Sequence, residues 1–79
     1  MKKNCLIEVD WDDIISVADW LSEQKAANFS PARCKSVGYF LNETKDVIRL
    51  SSTIQVEKDF ERDITVIPKG VITKIRRLK

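Results

Sequence analysis

The sequence predicts a mainly β protein with one short helix, folded as a small five-stranded barrel. After Pro31 the chain consists of short runs rich in β-branched residues, and polar turn-forming residues separate one run from the next. Its 79 residues, of which 43% are hydrophobic, can form only one small core. Because the connections are short, one helix and five strands can bury both faces of a sheet only by curling. We therefore expect a single domain over residues 1–79.

The N-terminal part of the chain is predicted to form one strand and the helix. Apolar residues at every second position over about 5–11 are typical of a strand with one buried face. The Ser-x-x-Asp spacing at 16–19 is that of a capping box, so the helix is expected over about 17–27. A helix of two to three turns is unstable alone in water. Trp11 and Trp20 are therefore expected to pack between the helix and the barrel.

Four further strands are expected in the rest of the chain, over residues 33–43, 46–53, 64–67 and 71–78, and Ile48 and Leu50 are expected to point inward from the second of them. Gly38 lies in the middle of the first of them. A glycine at such a position marks a bend or a close approach of another backbone, which a tightly curved sheet needs. Thr44 and Lys45 are expected to form a tight hairpin loop. The Pro-Lys-Gly sequence at 68–70 can reverse the chain in a single tight turn between the last two strands.

The composition excludes most familiar enzyme chemistry. The sequence contains no histidine, which removes the usual general base near neutral pH and the commonest metal ligand. Asp10, Asp12 and Asp13 are the remaining catalytic candidates, and the alternative is that they start the helix and keep the chain soluble. Cys34 has no histidine to activate it as a nucleophile. We expect a protein that is not an enzyme and that uses no metal or cofactor.

The cysteines and the N-terminal residues indicate a cytoplasmic location. Cys5 and Cys34 do not make a disulfide framework, and neither belongs to a Cys-x-x-Cys pair that could hold zinc. A reducing compartment is the simplest setting for such a pair of cysteines. The apolar stretch after residues 1–4 is interrupted at once by acidic residues, so no signal peptide is expected. No segment approaches the length that spans a membrane.

Charge is unevenly distributed along the chain. Residues 1–30 contain three lysines and six acidic residues, whereas residues 69–79 contain five basic residues and no acidic one. Such an asymmetry can steer an anionic partner to one side of a small domain, or it can match two unlike faces of neighbouring copies. The alternative is a basic segment that is only solvated.

Two stretches of the sequence resemble the motifs of a known family. Residues 64–75, with the sequence ITVIPKGVITKI, resemble the second motif of Sm-like proteins, in which an apolar strand, a basic residue and a glycine precede further hydrophobic residues. Residues 37–41, VGYFL, followed by a polar turn with Asp46 and by residues 47–50, VIRL, resemble a loose version of the first motif. The chain is also similar to small phage-type proteins that have this barrel. In Sm-like chains the helix usually precedes the barrel, whereas here it is expected after the first strand.

The resemblance implies an SH3-like barrel of the Sm type that assembles into a ring. In such a ring the fourth and fifth strands pair with those of adjacent copies, typically in rings of about five to seven subunits. The residues that correspond to this interface here are Ile64, Val66, Ile67, Val71, Ile72 and Ile75. In Sm-like rings single-stranded RNA is held near the pore beside a basic residue just before the glycine of the second motif. Lys69 occupies that position here.

Further candidates for binding nucleic acid lie on the strands, and each has an alternative interpretation. The candidates are Lys69, Lys74, Arg76, Arg77, Arg49 and Tyr39. Basic side chains on the last strand could follow a phosphate backbone, or they could be the outward face of an edge strand, where Lys and Arg deter unwanted pairing. Lys69 could be a turn residue that favours solubility, and Tyr39 could stack on a base or belong to the core.

Two functions are therefore expected from the sequence. The first is a ring of Sm-like subunits that binds single-stranded RNA. The second is a structural or adaptor oligomer of the same fold, of phage or mobile-element origin, that has no nucleic-acid partner. Steeply salt-dependent binding of RNA would support the first, and a well-formed oligomer that binds no RNA would support the second.

Overall fold

A computed structural model describes residues 1–57 and 59–78, and it shows a mainly β fold. Five antiparallel strands form one sheet: β1 Leu6–Asp13, β2 Ala32–Glu43, β3 Val47–Ser51, β4 Thr65–Pro68 and β5 Ile72–Arg77. One helical turn, α1, spans Glu23–Ala26, and one 3-10 turn spans Lys69–Val71. The predicted class, mainly β with five short strands, is confirmed.

The strand order shows that the sheet is strongly curved. The order is β4-β3-β2-β1-β5, so the two strands that follow each other at the end of the chain lie at opposite edges of the sheet. A flat sheet would hold these edges about 19 Å apart, at about 4.8 Å per strand. The 3-10 turn Lys69–Val71 that joins them advances only about 6–8 Å. The sheet therefore curls until its edges meet at this corner, which is the geometry of a small barrel.

The core is small and comes from alternate positions of four strands. Its buried members are Ile7, Val9, Phe40, Ile48, Leu50 and Ile67. The predicted inward positions on the first and third strands are confirmed, because side chains of period two alternate between the core and the solvent. A partly buried layer of Cys5, Trp11, Val71, Ile72 and Ile75 packs against this core.

Gly38 allows β3 to approach β2 closely. A Cβ atom at this position would lie 2.7 Å from the carbonyl oxygen of Ser51 and 2.9 Å from Cδ1 of Leu50. Just beyond it, the β2–β3 register shifts between Phe40 and Asn42, which is a bulge that bends the strand. The prediction that this glycine marks a bend or a close backbone contact is confirmed.

The helix differs from the prediction. It was expected over about 17–27, but only Glu23–Ala26 are helical, and none of these residues is buried. Ser22, rather than Ser16, caps the turn: its hydroxyl accepts a hydrogen bond from the backbone N–H of Lys25 at 3.2 Å. The physical reason is that β1 continues to Asp13, which pairs with Ala32 of β2. The connection therefore starts from the end of a hairpin, where it has no barrel surface to bury a helical face.

The two tryptophans have different environments. Trp11 is partly buried against the core, and its indole N–H donates to Oγ of Ser36 at 2.9 Å, so the prediction that it packs on the barrel is confirmed, although the helix expected beside it over 17–27 does not form. Trp20 is fully exposed, so the prediction that it packs on the barrel is wrong. Among the described residues, no helix is long and apolar enough to cross a membrane.

Candidate assembly edges and charged face

Both edges of the sheet have a free side. β4 is paired only with β3, and β5 only with β1, among the strands of the described residues. Strands at such positions present a row of backbone N–H and C=O groups that can pair with another chain. Because β4 and β5 lie at opposite ends of the sheet, the free edge of one can match the free edge of the other on a neighbouring copy.

The predicted interface residues divide into three groups by their exposure. Ile64 and Val66 are 49% and 48% exposed, and they are two positions apart, as residues on one side of an extended segment are. Ile67 is a core residue, so its side chain is not free to contact another copy. The remaining candidates, Val71, Ile72 and Ile75, are partly buried against the core of their own barrel. The apolar surface offered at the β4 edge therefore comes from Ile64 and Val66.

The outward face of β1 carries a network of four charged side chains. Arg76 of β5 donates to Asp10 with both terminal nitrogens, Nη1 to Oδ1 at 3.0 Å and Nη2 to Oδ2 at 2.8 Å. Its Nη1 also donates to Oε1 of Glu8 at 2.6 Å. From the other side, Nζ of Lys35 on β2 lies 3.0 Å from Asp10 and 3.7 Å from Glu8. The cross-strand register brings these residues together, since Asp10 lies opposite Lys35 of β2 and Glu8 lies opposite Arg76 of β5.

This network shifts the pKa values of Asp10 and Arg76. Hydrogen bonds from Arg76 and then from Lys35 hold the pKa of Asp10 well below its usual range. Hydrogen bonding to Asp10 in turn raises the pKa of the Arg76 guanidinium. Asp10 and Arg76 therefore each favour the charged form of the other. The positive charge of Arg76 is compensated within the barrel and is not free for a phosphate group.

Lys69 is also paired. Its Nζ lies 2.6 Å from Oε1 of Glu43, at the end of β2, and its backbone N–H donates to the carbonyl of Asp46 at 2.7 Å. The Lys69 ammonium lowers the pKa of the Glu43 carboxyl. The 3-10 corner is thus tied to the β2–β3 hairpin by one ion pair and one backbone hydrogen bond. Lys69 therefore stabilises this corner of the fold, whereas the resemblance to Sm-like proteins implies a contact with RNA at this position.

The other predicted nucleic-acid contacts are spread over three strands. Arg49 on β3 donates to Oδ1 of Asn42 at 3.0 Å. Tyr39 on β2 is half-exposed and does not belong to the core. Lys74 and Arg77 on β5 make no ion pair within the described part of the chain. In the described sheet Tyr39 is paired with Leu6 and Ser51, Arg49 with Asn42, and Arg77 with Ile7, so these candidates occupy different positions of the sheet.

Two of the three acidic residues considered as catalytic candidates have structural partners. Asp10 is held by Arg76 and Lys35, and Oδ1 of Asp13 accepts a hydrogen bond from the backbone N–H of Ile14 at 2.9 Å. Asp12 lies at one side of an open groove of ≈ 530 Å³ together with Cys34. In residues 1–57 and 59–78, no group of three or more metal-ligating side chains could hold an ion. Both cysteines are free thiols.

Sequence reasoning missed Asp63 as an organising residue. Its Oδ1 accepts from the backbone N–H groups of Ser52 and Thr53 at 2.9 and 3.0 Å, and its Oδ2 accepts from the Ser52 hydroxyl. These hydrogen bonds lower the pKa of the Asp63 carboxyl, and the bond from the Ser52 hydroxyl has the largest effect. Its carbonyl accepts from the buried Ser51 hydroxyl at 2.7 Å. The sequence showed only an alternation of charges in this region, and no local signal distinguishes Asp63 from its neighbours.

Comparison with known proteins adds no identification. The chain matches no protein-family model, no curated protein and no solved structure at a significant level. The resemblance to Sm-like proteins therefore stays a prediction that rests on the motifs quoted above.

Proposed function

We propose that this chain is a non-enzymatic, Sm-like structural protein that assembles with copies of itself through the free edges of β4 and β5. The observation that carries the proposal is the strand order, which leaves one free edge at each end of a single curved sheet. Pairing β4 of one copy with β5 of the next is a head-to-tail contact. Such contacts close into a ring when the rotation between copies divides a full turn.

The size of the core supports self-association. Six buried apolar side chains stabilise this barrel, and a domain of about 80 residues buries only a little more than about 60% of its unfolded surface. Pairing at the edges satisfies backbone groups that water now solvates. It also covers Ile64 and Val66, which stand half-exposed beside β4. The contact that completes the sheet therefore also enlarges the apolar interior.

The charge arrangement favours a structural oligomer over an RNA-binding one. Arg76 and Lys69, two of the predicted phosphate contacts, are held by carboxylates at 2.6–3.0 Å. A phosphate group would have to displace Asp10 or Glu43 to reach them. Lys74 and Arg77 remain as basic residues without such partners among those described.

The proposal is tested by the solution mass of the protein and of two matched variants. Val66→Asn combined with Ile64→Asn removes apolar surface at the β4 edge. Val37→Asn removes a side chain that is 49% exposed on β2, at a position that is paired with Glu8 of β1 and belongs to neither β4 nor β5. We expect light scattering on a sizing column to show an oligomer for the native chain and for the β2 variant. The edge variant should associate at least about tenfold more weakly, since it loses about 1.5 kcal/mol of apolar burial.

Two results would contradict the proposal. One is a monomeric native protein at every concentration tested. The other is an equal loss of association in the edge variant and the β2 variant. Binding of a single-stranded oligouridine by the oligomer, steeply weakened by salt and by Lys74→Ala with Arg77→Ala, would establish the RNA-binding ring in place of the structural oligomer.

A further inference from the structure

The connection between β1 and β2, residues 14–31, is an apolar segment that its own barrel does not cover. We call it the arm. Every residue of the arm is exposed. Its large apolar side chains are Ile14, Ile15, Val17, Trp20, Leu21 and Phe29. Ile14 is 88% exposed and Trp20 is fully exposed. Hydrophobic residues scattered singly on a surface need no explanation, but this number within one connection does.

The arm stands away from the barrel. The molecule measures 54 by 22 by 22 Å, so it is far longer in one direction than in the other two. The single helical turn of the arm, Glu23–Ala26, has no buried residue. An element with this exposure gains no stability from its own barrel. It is free to be covered by a second molecule.

The area and the charge of the arm fit a second copy of this chain. Its large apolar residues expose on the order of 600–700 Å², close to the roughly 800 Å² that each partner contributes to a standard interface. The charged residues of the arm are Asp19, Glu23 and Lys25, so both signs are present. Two arms related by a two-fold axis can set Lys25 of one against an acid of the other. A single lysine, with Asp12 and Asp13 at the base of the arm, gives no attraction to an anionic membrane.

The arm also contains a place for a partner side chain. Leu21, Lys25, Asn28 and Phe29 line an open groove of ≈ 330 Å³. Trp20 beside it projects into solvent with its whole surface exposed. An indole in this groove would contact the Phe29 ring and the stem of Lys25, and its face would attract the ammonium group. In a two-fold contact each copy supplies one such side chain and one such groove.

We propose that the arms of two copies pair about a two-fold axis, with Trp20 of each copy seated in the groove of the other. This contact is a second assembly surface beside the β4 and β5 edges of the proposed function, and it does not depend on them. If both contacts form, the arms join two edge-linked assemblies into a particle of twice the mass. If only the arms pair, the protein is a dimer.

The test uses two double variants that make the same kind of change at exposed positions. Ile14→Ser with Trp20→Ser alters the arm. Val56→Ser with Phe60→Ser alters the β3–β4 connection, where these residues are 77% and 60% exposed. We expect the arm variant to show half the native mass in light scattering, with an arm contact weakened about thirtyfold or more, as for loss of a tryptophan anchor. The control variant should keep the native mass.

A fluorescence measurement checks that Trp20 itself becomes covered. In a Trp11→Phe background Trp20 is the only tryptophan, and its emission should shift to the blue as the protein is concentrated. If Trp11→Phe weakens the fold, the emission of the native chain is instead compared with that of the Trp20→Phe variant. The difference between the two spectra gives the emission of Trp20. Emission that does not change with concentration, or that shifts only when phosphatidylcholine vesicles are added, would overturn the proposal.

The failures of the two proposals are distinguishable. If the arm variant keeps the native mass while the Ile64 and Val66 variant loses it, the arm proposal is wrong and edge assembly stands. If the native protein is a dimer that only the arm variant dissociates, edge assembly is wrong and arm pairing stands. A native monomer overturns both.

Discussion

Gly38→Ala tests the reasoning about how the sheet bends. In the native chain an added Cβ would lie 2.7 Å from the Ser51 carbonyl oxygen and 2.9 Å from Leu50 Cδ1, whereas ordinary contact begins at about 3.4 Å. The oxygen belongs to the β3 backbone, and Ser51 is paired with Tyr39 in the β2–β3 ladder, so it cannot move alone. Leu50 is 2% exposed, so its side chain is enclosed by other core residues. The two strands must therefore separate locally.

The expected loss of stability follows from this overlap. Adding a carbon atom to a packed site costs about 1–3 kcal/mol of unfolding free energy. Because the nearest atom here is a backbone oxygen, we expect a loss in the upper part of this range, about 2–3 kcal/mol. In a domain of this size each kcal/mol lowers Tm by about 4–8 °C. The measurement is reversible thermal or urea unfolding followed by far-UV circular dichroism, at a fixed low protein concentration so that association does not change the result.

Gly70→Ala is the matched control. Nothing lies within 4 Å of a Cβ built at this glycine, which lies in the 3-10 turn and has no positive φ angle. The substitution should be neutral or stabilise by up to about 1 kcal/mol, because alanine restricts the unfolded chain. If Gly38→Ala is as stable as Gly70→Ala, the close approach of β3 to β2 is not what requires a glycine at position 38.

Three further predictions concern the core and its polar supports. Ile48→Ala should destabilise by about 2–5 kcal/mol in urea unfolding, because Ile48 is fully buried in a core of six side chains; a loss below about 1 kcal/mol would contradict the assigned core. Ser51→Ala should cost about 1 kcal/mol in the same assay, since the buried hydroxyl donates to the Asp63 carbonyl, and no measurable change would refute that role. Acid should destabilise the fold as pH falls from about 4 towards 2, because the pKa values of Asp10, Glu43 and Asp63 are lowered in the folded state. The stabilisation from these carboxylates is complete above their pKa values in the unfolded chain, and it is lost as pH falls through their pKa values in the folded chain. A Tm that is constant between pH 5 and pH 2 would contradict this linkage.

The strands could be predicted because their signals are local. Alternation marked the inward residues of β1 and β3, and Gly38 marked the close approach of two strands. The helix could not be predicted correctly, because the capping pattern at 16–19 expresses only a local preference. A helix of this length also needs tertiary packing to be stable. The continuation of β1 to Asp13, opposite Ala32, starts the arm at the hairpin end, away from any surface that would bury Trp20.

The charged face shows why residue types alone did not define the site. Arg76 was identified as basic and outward-facing, but its partners Glu8 and Asp10 lie more than sixty positions earlier in the chain. Whether β5 lies beside β1 depends on the strand order, and one sequence does not reveal it. The same holds for Lys69, whose partner Glu43 ends β2. Once these pairs are known, the basic C-terminal segment offers fewer free charges than its sequence indicates.

Backbone hydrogen exchange at the two sheet edges tests the central proposal most directly. Pairing of β4 with β5 of another copy would protect amides that now face solvent on Thr65–Pro68 and Ile72–Arg77. We expect deuterium uptake in these two strands to slow as the protein concentration rises, while uptake in residues 7–11 of β1, which are paired with β2 on one side and with β5 on the other, stays constant. Uptake in β4 and β5 that is independent of concentration, in a protein whose mass shows association, would contradict assembly through the edges.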